Sequence, residues 1–420
     1  MLDIKFIREN PKLVKEGIKR KQVEVDIDQL LEVDKKRRET MTALEDMRAQ
    51  KNKASKEISK LKNEKEKKKI ILEMRELDSN SDRLDERLKE LDNEFDSLML
   101  LIPNLPLKDV PAGKDESDNV VLRQVGEKTK FNFKPQNYLE LAEKLDLIDT
   151  KRAAKVSGTR FGYIKNQLAL MEFALINMVF DLMVKKGFKI IVPPVMIKPE
   201  MMKGMGYVER GKEDIYFIEK DNLFLVATSE QSIGPMYADE VLDEKDLPLR
   251  YAAFSSCFRR EAGAYGKDTK GILRVHQFDK IEMFSFCHPD KSREEHEFFL
   301  SIEEELMKLI KVPYQVLNIC TGDLGDQAAV KYDIEAWLPT ENRYRETHST
   351  SNCTDFQARR LNVRFRNVKE NKLEFVHTVN GTAFAIGRTL IAIIENYQQK
   401  DGSVLVPLAL QKYLNFKAIK

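Results

Sequence analysis

A 3-4 alternation of mostly apolar or small residues, interrupted by Arg37 and Lys51, runs from Leu30 through Val33, Arg37, Thr40, Leu44, Met47, Lys51, Ala54, Ile58 and Leu61, which places one stripe on one helix face. A second series follows at Ile70, Met74, Leu77, Ser81, Leu84, Leu88, Leu91, Phe95, Leu98 and Ile102. About eight residues, 62–69, separate the two runs, so the pattern predicts an antiparallel helical hairpin turning near Glu64 to Lys69. At about 1.5 Å per residue, each arm reaches roughly 50 Å and projects from the body. Residues 103–136 carry Pro103, Pro106, Pro111 and the polar run GKDESDN and read as a linker. Beyond them, Gln167 to Lys186 predicts a strongly apolar helix, and GFKIIVPPVMI an edge strand. The runs LFLVAT, YAAFSSCF, FDKIEMFSF, YQVLNIC, YDIEAWL and KLEFVHTVN alternate with loops. Hairpin-like connections outnumber helical crossovers among them, so the body, 137–420, is expected to hold a mainly antiparallel sheet flanked by helices: an α+β chain. The glycines of GMGYVERG lack dinucleotide-loop spacing and carry little weight.

Length and composition narrow the function classes. A chain of 420 residues exceeds one ordinary core, and 42% hydrophobic content with only 18 glycines and 14 prolines excludes a disordered polymer. The net charge of +2 conceals a polarised hairpin: residues 35–69 hold 14 Lys/Arg against 6 Asp/Glu, and residues 70–100 hold 4 against 10. The basic arm and tip, with Lys51, Lys60, Lys62, Lys65 and Lys68, could meet a phosphate backbone, although a solvated coiled coil has the same charges. Cys257, Cys287, Cys320 and Cys353 stand far apart with no metal-ligand spacing, so neither zinc nor disulfides are expected and a reducing cytosol fits. No signal or transit composition opens the chain, and no stretch reaches the roughly 18 apolar residues of a membrane span.

Three segments carry a resemblance. GFKIIVPPVM, with Gly187 and Pro194, looks like motif 1 of class II aminoacyl-tRNA synthetases; FRRE at 258–261 followed by Arg274, Phe278 and Glu282 looks like motif 2; GRTLIAIIENY from Gly387 looks like motif 3. The likeness sharpens to the seryl family through KVSGTRF, ATSEQ, FRREAGAYGKDTKGILRVHQFDKIE, CTGDLG, SNCTDFQARR and VNGTAFAIGRT, and through the hairpin, which resembles that family's tRNA-binding arm. Such enzymes bring a carboxylate to the α-phosphorus of ATP while both are anionic, so rigid cations are required and little proton chemistry is.

The resemblance implies two domains and a linker: a tRNA-binding domain over 1–102 with its arm at about 27–102, the linker over 103–136, and a class II catalytic domain over 137–420. It implies that Arg259, Glu261 and Arg388 are catalytic. Arg259 would hold the α-phosphate and the incoming carboxylate, Glu261 the adenine amino group, and Arg274 the γ-phosphate. Phe278 would stack under the adenine with Arg388 above it, and Arg260, Val275, Thr347, His348 and Ser349 complete the ATP site. Glu346 and Ser349 would ligate Mg²⁺. Thr228, Ser229, Glu230, Glu282, Asn380 and Thr382 would hold serine, and buried groups that need its hydroxyl would reject alanine. His348 stands where the family shows serine, and Lys267 and Lys270 where it often shows arginine. His276 in RVHQF reads as a packing residue, and Cys257 as buried and inert.

The implied protein is a cytoplasmic homodimer using ATP, Mg²⁺, L-serine and tRNA(Ser), with tRNA(Sec) a further substrate the resemblance leaves open, and with no zinc, DNA or membrane partner. In that dimer one subunit's arm would reach tRNA whose acceptor end enters the other's site. A paralogue that makes seryl-adenylate for a carrier protein would tend to lack the arm. A catalytically dead tRNA-binding derivative would tend to lack Arg259, Glu261 or Arg388.

Overall fold

In a computed structural model the chain is described over residues 1–263, 266, 268 and 270–420, so Lys267 lies outside the described residues. It divides into two compact units, Leu2–Lys19 with Val23–Pro103, and Met1, Arg20–Gln22 with Asn104–Lys420.

The first unit is helical. Helices α1 (Ile27–Ile58) and α2 (Glu64–Leu101) form the expected hairpin. Leu30, Val33, Leu44, Ser81 and Leu91 of the two stripes are buried; near the base Met99 takes the place expected of Leu98, a drift that follows from a 3.6-residue turn set against a 3.5-residue repeat. Ion pairs Arg37–Asp92 and Lys51–Asp78 tie the helices along their length. The turn is earlier than the sequence suggests. It spans residues 59–63, because Asn63 caps α2 by accepting from Lys65 N (3.0 Å) and Glu64 and Glu66 sit favourably in its first turn. Lys65 and Lys68 therefore stand on the opening turns of a helix.

The second unit is built on eight strands: β1 (Val120–Val125), β2 (Lys189–Ile191), β3 (Leu249–Phe258), β4 (Gln277–Cys287), β5 (Tyr314–Asn318), β6 (Val330–Leu338), β7 (Arg343–Thr354) and β8 (His377–Ala385). Their order is β1-β5-β6-β7-β8-β4-β3-β2, and every pairing but that of β2 with β3 is antiparallel. The segment GFKIIVPPVMI does supply an edge strand, β2. The segment read as linker supplies the opposite edge, β1, whose largely exposed side chains gave no alternation to detect. KLEFVHTVN divides between a short strand, Lys372–Phe375, and β8.

Helices α3 (Asn166–Lys185), α4 (Ser292–Ile310) and α5 (Ile386–Tyr397) pack on one face of the sheet. Their Leu175, Val179, Phe299, Leu306, Leu390 and Ile394 meet Ile281, Met283, Ile334 and Phe384 in one core. α3 is long and, on average, apolar enough to cross a membrane, but Glu172 and Asp181 interrupt its apolar run and more than half of it is buried. The other face of the sheet is divided between a second apolar cluster, with Tyr251, Ala253, Phe284 and Phe286, and a group of polar side chains.

Candidate active site

Strand parity assembles the site. Successive side chains of β4 alternate between faces, so Phe278, Lys280 and Glu282 point away from the helical core into a cavity of about 440 Å³. Thr382 of β8 lies opposite Glu282. On β7 a bulge opposite Ile334 and Glu335 lets Glu346, Thr347, Ser349 and Ser351 all line the cavity. Arg259 follows the end of β3, and Gly387 and Arg388 come from the first turn of α5.

One group of residues is carboxylate-rich. Glu230 accepts from Tyr207 Oη (2.9 Å) and Gln357 Nε2 (3.2 Å). Glu282 is ion-paired to Lys280 and accepts from Thr382 Oγ1 at 3.3 Å, while Asn380 and Thr228 complete the lining. Burial, and then the neighbouring Glu282, push Glu230 up to about 7; Lys280, Tyr207 and Gln357 oppose the shift.

A second group is cationic. The Arg259 guanidinium stands 5.2 Å from the centroid of Phe278, and its Nε donates to Ala227 O at 3.3 Å. His276 brackets the Arg259 backbone, with Arg259 N donating to His276 O (2.9 Å) and His276 Nδ1 3.0 Å from Arg259 O. Arg274 pairs with Glu261 at 2.6 Å, and Arg388 with Glu346 at 3.0 Å. Burial pushes the Glu346 carboxyl up, but Arg388 and Lys331 outweigh it and hold the group below the usual range. Behind them the Ser349 hydroxyl bonds Asp333, which burial raises to about 7 against the pull of Lys331 and whose Oδ1 has no hydrogen-bond partner. The cavity can thus hold an anionic, aromatic-bearing ligand beside a small ammonium-bearing one.

Not every residue singled out from sequence reaches it. Ser229 is fully buried with its Oγ unpartnered, and Arg260 turns outward with its guanidinium 6.0 Å from the Tyr216 ring. His348 corrects an expectation: the Thr347 bulge turns its ring to the core side, where it lies 5.2 Å from the Phe384 ring with Nδ1 2.8 Å from Thr347 Oγ1. Burial lowers its pKa to about 3, so it is neutral and packed. On the hairpin, Lys60, Lys62, Lys65 and Lys68 are exposed, whereas Lys51 is held by Asp78.

Residues 1–106 match the seryl-tRNA synthetase N-terminal domain family, and residues 216–397 the class II tRNA synthetase core domain family (G, H, P, S and T). A serine–tRNA ligase of Dictyoglomus turgidum is 47% identical across this whole chain and 99% of its own length, and one of Thermodesulfovibrio yellowstonii is 42% identical over the full length of both. The chain belongs to the seryl-tRNA synthetase family. The crystal structure of the seryl-tRNA synthetase from Pyrococcus horikoshii complexed with ATP superposes with a TM-score of 0.94 at 41% identity, over all of this chain and 99% of that one. In this seryl-tRNA synthetase fold, sequence reasoning missed Lys280, Tyr207, Arg210 and Lys331 among the cavity residues. Lys280 was detectable, since it shares the parity of Phe278 and Glu282. Tyr207 and Arg210 lie in GMGYVERG, which glycine spacing alone had set aside.

Proposed function

We propose that this chain is an ATP-dependent serine–tRNA ligase that converts L-serine and ATP into seryl-adenylate and diphosphate and then passes serine to tRNA(Ser). The observation that carries the reading is the pairing, in one cavity, of Glu230, Lys280 and Glu282 with Arg259, Arg274 and Arg388 around Phe278. Glu230 and Glu282 take the serine ammonium and hydroxyl, with Thr228, Asn380 and Thr382 closing around them. Arg259 draws the serine carboxylate and the α-phosphate together, since a guanidinium fork screens two anions that would otherwise repel. A carboxylate oxygen then forms the new bond to phosphorus as the bond to the diphosphate breaks. Phe278 and Arg388 sandwich the adenine, Arg274 exchanges Glu261 for the terminal phosphate, and Glu261 is freed toward the adenine amino group. In the second step a terminal ribose hydroxyl of the tRNA attacks the seryl carbonyl, its proton departs, and AMP leaves.

The site residues fit Mg²⁺. Glu346 and Ser349 on the cavity wall, with the unpartnered Asp333 Oδ1 beside Ser349, would offer the ion hard oxygens, and phosphate oxygens would complete its ligands. When bound, the ion supplies charge neutralisation of the departing diphosphate.

The domain assignment is 1–102 for tRNA binding, 103–136 for the linker and 137–420 for catalysis. Lys60, Lys62, Lys65 and Lys68 meet the tRNA backbone, and tRNA(Sec) is accepted through the same arm. The exposed Leu170, Phe173 and Val184 of α3, with Val192 beyond it, support a homodimer through motif 1. Four free cysteines, all buried, support a cytoplasmic setting. Charging assays with tRNA(Ser) and tRNA(Sec) transcripts, with sedimentation analysis of the enzyme, test these points. Charging of tRNA(Ser) by a dimer is expected; adenylate formation without transfer to either tRNA would overturn the ligase reading.

A further inference from the structure

Lys21 is a buried lysine that the proposed reaction does not use. Its Nζ donates to three backbone carbonyls of one loop, Gly325 (2.7 Å), Ala328 (2.7 Å) and Asp326 (3.3 Å). Its neighbours pin it there: Arg20 Nη2 donates to Val110 O at 2.9 Å, and Gln22 Nε2 to Lys114 O at 2.6 Å. The fit is close, since a Cβ on Gly322 would meet Gln22 Nε2 at 2.3 Å and Lys114 O at 2.2 Å. The Asp326 carboxylate accepts from Arg210 Nε at 2.7 Å and acts on the Lys21 ammonium through its charge, without a hydrogen bond to it.

The held loop is a wall of the cavity, lined by Leu324, Gly325, Gln327 and Ala328. From it two hydrogen bonds, joined through the covalent chain at Gly206 and Tyr207, lead to the carboxylate group of the site. Gln327 Nε2 donates to Gly206 O at 2.5 Å, and the next residue, Tyr207, donates to Glu230 at 2.9 Å. Asn104 braces the same loop, its N donating to Asp326 O (2.8 Å) and its Nδ2 to Gln327 O (2.9 Å) and Cys353 O (2.8 Å). Packing alone does not call for a charged group here: an ammonium buried with no carboxylate hydrogen-bonded to it is costly, and an apolar side chain of like length would fill the space. What the ammonium adds is three donors in fixed directions, which set the peptide planes of residues 325–328.

We propose that Lys21 is a positioning residue for the serine half of the cavity, orienting the 324–328 loop so that Gln327 and Gly206 hold Tyr207 on Glu230. The inference rests on the proposed ligase function. Burial lowers Lys21 to about 7, against the pull of Asp326 and Cys353 and with the push of Lys331 and Arg210, consistent with the strain of holding an ammonium there.

The test is steady-state diphosphate exchange with the full-length chain, comparing wild type, Lys21→Met and Gln327→Ala, each checked for folding by thermal melting. The wild type tests the function itself, since absence of serine-dependent exchange would end that reading before any variant is compared. Given wild-type activity, the serine KM is expected to rise about tenfold in Lys21→Met while the ATP KM and kcat stay within about threefold. Should Lys21→Met not fold, Gln327→Ala, which cuts the next link, must show the same selective rise. Unchanged kinetics in a folded variant, or serine KM, ATP KM and kcat moving together, would overturn the proposal.

Discussion

Fully ionised, Glu230, Lys280 and Glu282 carry one net negative charge, which the serine ammonium neutralises. Lys280→Met would leave two carboxylates facing each other in a buried site, so the serine KM should rise at least about tenfold while the ATP KM holds, as exchange kinetics would show. Glu230 also sets a pH dependence. Burial and Glu282 raise it from 4.5 to about 7, so its share of folding stability is present below pH 4.5 and is lost as pH rises through about 7. Serine binding runs the other way, because the ammonium needs the ionised form: kcat/KM for serine should climb through about pH 7 and level off above it. His348 makes a contrasting prediction. It is neutral, buried against Phe384 and off the cavity, so His348→Ser should lower stability by roughly 1–3 kcal/mol in a melting experiment with the ATP KM nearly unchanged. A tenfold rise in that KM would contradict its placement. Phe278 and Glu282 were legible in the sequence by motif, while Lys280 was missed although it shares their parity. The facing of His348 was not, because a bulge is a property of strand pairing and the residues of β7 look alike on both faces.

At the scale of elements, the hairpin was the most legible feature, since a stripe sustained over helices of 32 and 38 residues admits few alternatives. Its turn was misplaced, where lysine-rich sequence hid an N-cap at Asn63, and its stripe drifted to Met99 near the base. The exposed Lys60, Lys62, Lys65 and Lys68 there carry a specific expectation. Replacing all four by alanine should weaken tRNA binding and flatten its dependence on salt, by a slope change of up to about 3–4, without altering tRNA-independent exchange. Strand β7 was the least legible element. Its polar run RYRETHSTSNCT shows no apolar alternation, because one of its faces lines a polar cavity. β1 escaped for a related reason, being an exposed edge strand among linker-like residues.

For the whole molecule, the sheet is a partition. Its helical face buries the core through α3, α4 and α5, and its other face, beside the apolar cluster of Phe284 and Phe286, gathers Glu230, Arg259, Lys280, Glu282, Glu346 and Arg388, charges spread over 158 residues of sequence. Fold class followed from hairpin-like spacing and apolar runs, and the order of the motifs from resemblance. The cavity contacts that tie Lys21 and Asn104 to the 324–328 loop have no sequence signal at all, since backbone carbonyls accept whatever the side chains nearby. The central claim is that this cavity activates serine. Exchange of labelled diphosphate into ATP, without tRNA, should proceed with serine and fall by orders of magnitude with alanine, threonine or glycine. No exchange with any of the four, from a folded protein supplied with Mg²⁺, would contradict the account.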